Sequence, residues 1–372
     1  MIDNGKFDIE ALTSGMERSI ARLEAPGSAY SKLSRQLSGV IALETIKELA
    51  EPVSYETELE ILKSSLRFAV ALEFATIPLY LTALWSIIDQ SHPVAKSIRA
   101  VAHEEMLHFS LLCNLLVALG EEPKLTTATI PSYPMQLPGG AHPGLELKLE
   151  GYGPSALATF MEIERPEKPI PIEGEPLEAF PDGSKTIGQF YENLLKLFEA
   201  LNPPLSPDRQ VAGPFTWFVM TEIAHVREAI GLIMAQGEGA RGIPYSRYKN
   251  YLSHYYRFKS MSIGVHLVWD EDAKKLVKGA ALSQPSVYSI APVPKNGFGG
   301  ASPKPIQSAS RNFEETYSRM LRLLEASWQD SGDKSFVRAI ECMFDLAEYA
   351  RTMMQTVTPD GRGHCPTFHY RG

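Results

Sequence analysis

Apolar residues recur three or four positions apart over most of this chain, the spacing of one helix face. The pattern predicts two short amphipathic helices over 8–24 and 29–50 and a long helix over 56–89 that ends near "DQSHP". A second long helix is predicted over 93–119, stopped by Gly120 and Pro123. A Pro/Gly-rich stretch follows, with a short strand at "LELKLEGY" and a helix from Pro154 to Arg165. Further helices are predicted over 185–201, 214–236 and 245–261. The segment "VHLVWDEDAKKLVK" reads as a hairpin, and two amphipathic helices over 310–329 and 333–356 precede an irregular tail. No repeat of 20–50 residues interrupts this order.

The expected class is mainly α, with long decorated loops. Three regions are expected: N-terminal helices over 1–55, a helical bundle over 56–262, and a C-terminal extension over 263–372 whose two helices pack on the bundle. One stretch, "FAVALEFATIPLYLTALWSII", has the length of a membrane span, but Glu73 and Pro78 fall inside it. It reads as a buried core helix. The opening "MIDNGKFDIEALTSG" has no basic segment leading into an apolar one, so no secretory signal is expected.

Composition narrows the function classes. The chain has 372 residues, 44% hydrophobic and 22% charged, the balance of a globular protein with a sizeable core. Its net charge of −8 argues against nucleic acid or an anionic membrane as partner. Cys113, Cys342 and Cys365 form no paired motif, which suits a reducing cytoplasm and excludes a thiolate zinc site. Exposed apolar positions on the N-terminal helices point to a homodimer.

Ionisable groups on the apolar faces change the picture most. On the helix over 56–89, Glu73 shares its face with Leu66, Val70, Ile77 and Tyr80. On the next, Glu105 and His108 sit in a stripe with Ile98, Val101 and Leu112. On the helix over 214–236, Glu222 and His225 sit in a stripe with Phe215, Phe218, Ala229 and Leu232. Glu164 shares a face with Leu157, Phe160 and Met161. Four inward carboxylates and two imidazoles, with no inward Lys or Arg beside them, would be strongly destabilising unpaired. Two divalent cations would neutralise them. Glu104 competes with Glu105 for its place, and Glu162 or Glu192 with Glu164.

The order Glu, Glu-x-x-His, Glu, Glu-x-x-His is that of ferritin-like di-iron and di-manganese carboxylate bundles. The expected architecture is therefore a ferritin-like four-helix bundle with loop insertions and additional C-terminal helices. The strings "ALEFATIPLYLTALWSI", "AHEEMLHFSLLCNLLVALGEEP", "FMEIERPE", "TIGQFYENL" and "GLIMAQGEG" resemble the ferritin-like domain of iminophenylpyruvate dimer synthases, enzymes of violacein- and rebeccamycin-type pigment pathways. The resemblance is strongest over 60–260. It implies metal ligands at Glu73, Glu105, His108, Glu164, Glu222 and His225. Those pigment enzymes carry other sequence before this domain, where this chain has only short helices.

The expected function is that of a non-haem dimetal oxidase or oxygenase that uses O₂ on a small organic, amino-acid-derived metabolite. The cofactors are two divalent metal ions, iron first, with manganese or a mixed pair as alternatives. Imino-acid coupling and iron storage are the competing functions. Tyr80, two turns beyond Glu73, and Glu228, one turn beyond His225, are the candidate catalytic side chains, with packing the ordinary role of such a Tyr. His254, Tyr255 and Arg257 share a short helix and read as ordinary packing and surface pairing, with a pocket role as the alternative. His364, Cys365 and His369 read as a surface tail, with a pocket cap or third metal as the alternative.

Overall fold

The computed structural model describes residues 54–127, 130–137, 144–176, 186–212, 219–237, 244, 251–294, 297–298, 302–329 and 333–372. The helices expected over 8–24 and 29–50 lie outside the described residues. Among the described residues are eight helices, α1 Tyr55–Ser86, α2 Pro93–Ala118, α3 Pro154–Ile163, α4 Ile187–Leu201, α5 Ile223–Gly237, α6 His254–Ile263, α7 Lys304–Gln329 and α8 Asp333–Gln355. Three two-stranded sheets accompany them: β1 Met135–Gln136 with β2 Glu146–Leu147, β3 Val265–Asp270 with β4 Lys275–Ala281, and β5 Ile290–Ala291 with β6 Gly363–His364.

Local sequence sets the helix ends. The Ser54 hydroxyl accepts from the Thr57 amide and caps α1, with Glu56 and Glu58 complementing the helix dipole in the first turn. Pro93 opens α2, where its missing N–H costs nothing. A reciprocal Thr186–Gln189 capping box starts α4. Gly264, at φ 70°, lets the chain leave α6 and turn directly into the β3–β4 hairpin. That hairpin is the one read at "VHLVWDEDAKKLVK".

Helices α1 and α2 pack along much of their length, and α4 and α5 lie against them to complete a four-helix bundle. Helices α3 and α6 pack on each other and touch the bundle through α2 and α5. The α7–α8 hairpin covers the other side of α1 and α2. Helix α1 is apolar and long enough to cross a membrane, yet 94% of its most apolar window is buried inside the protein. It is a core helix, as Glu73 and Pro78 indicated.

The spacing placed a helix start at 214, but α5 begins at Ile223 and residues 219–222 are not helical. Residues 213–218, which include Phe215 and Phe218, lie outside the described residues. Similarly, α6 begins at His254, whereas its start was expected at 245.

The tail read as lying at the surface does so only in part: His369 is exposed. β6 pairs in parallel with β5, and His364 and Cys365 are buried. A Cβ at Gly363 would overlap the Met354 carbonyl, so only glycine allows this close pass over α8. Phe368 stacks on Trp85 with centroids 6.1 Å apart and meets Phe313 and Tyr317 edge-on. Glu314 secures the end through His369 at 3.4 Å and Arg371 at 2.5 Å. Burial alone would raise the Glu314 carboxyl, but His369, Thr367 and Arg371 hold it below its ordinary value. Its stabilising contribution is therefore present above the unfolded value and lost as pH falls through the folded one. Glu314→Gln is expected to cost about 1.5–3 kcal/mol of stability, the worth of hydrogen bonds to a charged group. Urea melts near neutral pH should show that loss, and it should shrink in acid.

Candidate metal centre

Five ionisable side chains converge where α1, α2, α3 and α6 meet. Glu73 lies on the inward face of α1 with Thr76 and Tyr80, three and seven residues on. Glu105 and His108 occupy one face of α2. Glu164 is the C-cap of α3, and His254 is the first residue of α6. All five are buried.

They form two donor sets that share one residue. Glu73, Glu105 and His108 place one ligand atom each within 4.8 Å of one another, and so do Glu105, Glu164 and His254. Glu105 is therefore positioned to bridge, with one imidazole and one terminal carboxylate on either side. Hard carboxylate oxygens with one imidazole nitrogen per position suit Fe, Mn or Zn. The gap at their centre is about 20 Å³, the room of a single water-sized species. Gly237 borders it, and a Cβ there would come within 3.2 Å of Glu164 Oε2. These residues fit a pair of metal ions.

Both imidazoles turn Nδ1 to the carboxylates and Nε2 away. His108 Nδ1 lies 3.5 Å from Glu73 and 3.8 Å from Glu105, while Nε2 lies 2.7 Å from Gln236 Oε1. His254 Nδ1 lies 2.8 Å from Glu105 and 3.4 Å from Glu164, while Nε2 lies 2.9 Å from Glu104. An Nε2–H donated outward leaves the Nδ1 lone pair for a metal. The two sides differ in the group that receives this proton. Gln236 is a neutral amide, whereas Glu104 is a carboxylate also gripped by Arg257. Gln236→Leu should therefore weaken metal binding on the His108 side by about 10–100-fold. Stepwise metal titration followed by calorimetry would detect one weakened site beside one unchanged.

Charge is unbalanced without metal. Burial, together with the Glu73 and Glu164 carboxylates, pushes the Glu105 carboxyl well above its ordinary value. Burial would lower His254, but Glu164, Glu104 and Glu105 raise it well above its usual range. Glu104 goes the other way: despite its burial, His254 and Arg257 hold it at about 2. Glu73 is also lowered, its burial outweighed by His108 and by hydrogen bonds from Glu105 and Tyr191. Tyr80 donates to Glu164 Oε1 at 2.6 Å, and Tyr191 of α4 donates to Glu73. Burial and these carboxylates raise both phenols well above 10.0, so each remains a donor.

Sequence position alone does not place the remaining candidates here. Glu222 precedes α5, with its side chain 65% exposed and paired to His225 at 3.7 Å. The buried stripe of α5 is Val226, Ala229, Ile230, Ile233 and Gln236. At about 1.5 Å per residue, Glu222 lies roughly 20 Å along the axis from Gln236. Glu222 and His225 are thus outside the cluster, and Glu228 is exposed. Glu162 pairs with Arg165 at 2.9 Å, and Glu192 is only half-buried, so Glu164 is the third-helix carboxylate that reaches the cluster. Glu104 and Glu105 are both used, one behind His254 and one between the donor sets.

His254 takes the position expected of His225. Its signal was the i,i+3 pair His254–Arg257: a cation one turn from an imidazole matches Glu104, the first carboxylate of "HEEMLH". Gln236 and Tyr191 carried no such signal, because uncharged side chains on an inward stripe look like packing.

The Ferritin-like family model matches residues 66–263, more than half of the chain. Among curated proteins, none matches the chain. A ferritin-like protein from Caulobacter vibrioides, known from its crystal structure, superposes with a TM-score of 0.58 at 21% identity, covering 83% of this chain and 97% of that one. That likeness concerns the fold. With the bundle and its buried Glu/His groups in place, the match assigns the chain plainly: it belongs to the Ferritin-like family.

Proposed function

We propose that this chain is a non-haem dimetal oxidoreductase that uses O₂ to oxidise a small organic metabolite, with two iron ions as its first-choice cofactor. The observation that carries this reading is the sharing of Glu105 between two buried donor sets. Bound there, a pair of redox-active ions would supply the electrons and the Lewis acidity that no side chain here offers. Glu73, Glu105 and His108 would hold one ion, and Glu105, Glu164 and His254 the other.

The chain's own groups would orient and isolate that pair. Tyr80 and Tyr191 fix Glu164 and Glu73 by donating to them. Thr76 donates to Glu105 Oε2 at 3.1 Å. Leu72, Ile163, Ile187, Ile233 and Met234 line the gap and exclude bulk water. A space of about 20 Å³ admits water or O₂, so an organic substrate reaches the ions only if apolar side chains such as Ile233 and Met234 move aside. The resemblance to iminophenylpyruvate dimer synthases makes amino-acid-derived imines the first substrates to try.

Anaerobic loading with Fe(II) should give about two ions per chain, and O₂ uptake should then rise when the right organic substrate is added. Hundreds of ions per particle, with uptake indifferent to organic compounds, would mean iron storage. A chain that takes up no metal would sink the proposal.

A further inference from the structure

A second chamber lies on the far side of α1 and α2 from the metal cluster. Residues adjacent in a helix point about 100° apart. Thus Glu73 faces the cluster while Phe74 faces this chamber, and Glu105 and Met106 divide in the same way. The α7–α8 hairpin forms the opposite wall through Met320, Leu324, Ile340 and Met343. The chamber's volume is about 290 Å³. Close-packed interiors hold few voids larger than one water molecule, whereas small-molecule sites begin at roughly 300 Å³. The chamber is therefore of ligand size.

Its chemistry is one-sided. Rings and sulfurs line it: Phe74, Trp85, Phe109, Phe368, Met106 and Met320 among them. Thioether side chains adapt to varied apolar shapes. Arg99 and His103, one turn apart on α2, form a polar rim, and the Ser110 and Tyr317 hydroxyls are further polar groups in the lining. Arg99 is half-buried and, among the described residues, held by Gln90 through its carbonyl at 3.2 Å and its Oε1 at 2.8 Å. Both partners are neutral, and among the described residues no carboxylate pairs with this guanidinium. Beside the rim Phe344 is 74% exposed, an uncommon position for a ring and one an incoming apolar molecule would cover.

We propose that this chamber binds an apolar monocarboxylic acid, its hydrocarbon part among the rings and methionines and its carboxylate on Arg99. Arginine recognises carboxylates through paired N–H donors, and a fixed, half-buried guanidinium loses little freedom in doing so. The site is separate from the metal cluster and does not depend on the oxidoreductase reading.

Decanoate and decan-1-ol, titrated into the full chain and followed by calorimetry and by Trp85 fluorescence, test it. Decanoate should bind saturably at one site per chain. Arg99→Gln, a rim change that leaves the core intact, should weaken decanoate by about tenfold while changing decan-1-ol by less than about twofold. Ala347→Trp, which fills the chamber, should abolish binding of both, and its far-UV spectrum and metal content verify that it folds. If that variant does not fold, competition of decanoate with a fluorescent apolar probe quenched by Trp85 locates the site instead. No saturable decanoate binding, an Arg99→Gln variant that binds decanoate as the parent does, or binding that survives a filled chamber would each overturn the proposal.

Discussion

Alanine at Glu105 is expected to remove both metal ions at once, whereas alanine at Glu222 or His225 should leave both in place. The asymmetry follows from where the carboxylates sit. Glu105 belongs to both donor sets, so its loss leaves two isolated Glu–His pairs, neither of which surrounds an ion. Glu73→Ala or Glu164→Ala removes one set and leaves the other intact, so each should retain about one ion per chain. Glu222 is exposed and His225 partly so, about three to four turns along α5 from Gln236, and their removal costs no ligand. Elemental analysis of protein loaded with Fe(II) or Mn(II) decides the matter. Two ions retained in Glu105→Ala would refute the bridging role, and loss of an ion in His225→Ala would return that histidine to the centre.

The same residues show what the sequence carried and where it stopped. Glu73, Glu105 and His108 were legible because α1 and α2 are long, continuous and apolar, so a charged residue on the inner stripe stands out. Glu164 was legible for the same reason, although it is a C-cap and not a residue inside the helix. The fourth helix misled. A second Glu-x-x-His completed a known pattern, and the apolar residues at 215 and 218 extended its stripe backward. The actual helix starts later and buries a face shifted by one residue, which carries Gln236 and Gly237 to the cluster. His254 completes the site from α6, beyond segments whose course periodicity cannot predict. Spacing within one helix fixes a face, but only packing between α3 and α6 decides that Glu164 and His254 meet. The tail misled in a related way: short strands and single aromatic anchors such as Phe368 leave almost no periodic trace.

Metal-free protein should be most stable in mildly acidic solution and weaken as pH rises, and added metal should cancel the alkaline loss. Glu105 is an acid whose folded value lies well above the ordinary carboxylate value of about 4.5. Between those values the folded state binds more protons than the unfolded one, so stability falls with rising pH. His254, raised well above 6.5, acts in the same direction: its contribution is complete below 6.5 and lost as pH passes its folded value. Glu73 and Glu104 oppose this at the acid end: their lowered values add stability that is lost as pH falls through them, for Glu104 at about 2. The proton on Glu105 belongs to that carboxyl and the neighbouring Glu73 together, because each shifts the other. A bound cation replaces that proton, so metal affinity rises with pH as stability without metal declines. At free metal a hundredfold above Kd, each site adds about 2.7 kcal/mol. Glu105→Gln keeps the shape of the protonated carboxyl but cannot ionise or bridge. Melting curves from about pH 5 to pH 9 should therefore show, for this variant, a flatter alkaline limb and little response to metal. A variant that declines with pH as steeply as its parent would move the buried proton away from Glu105, and with it the reason this helix carries a charge in its core.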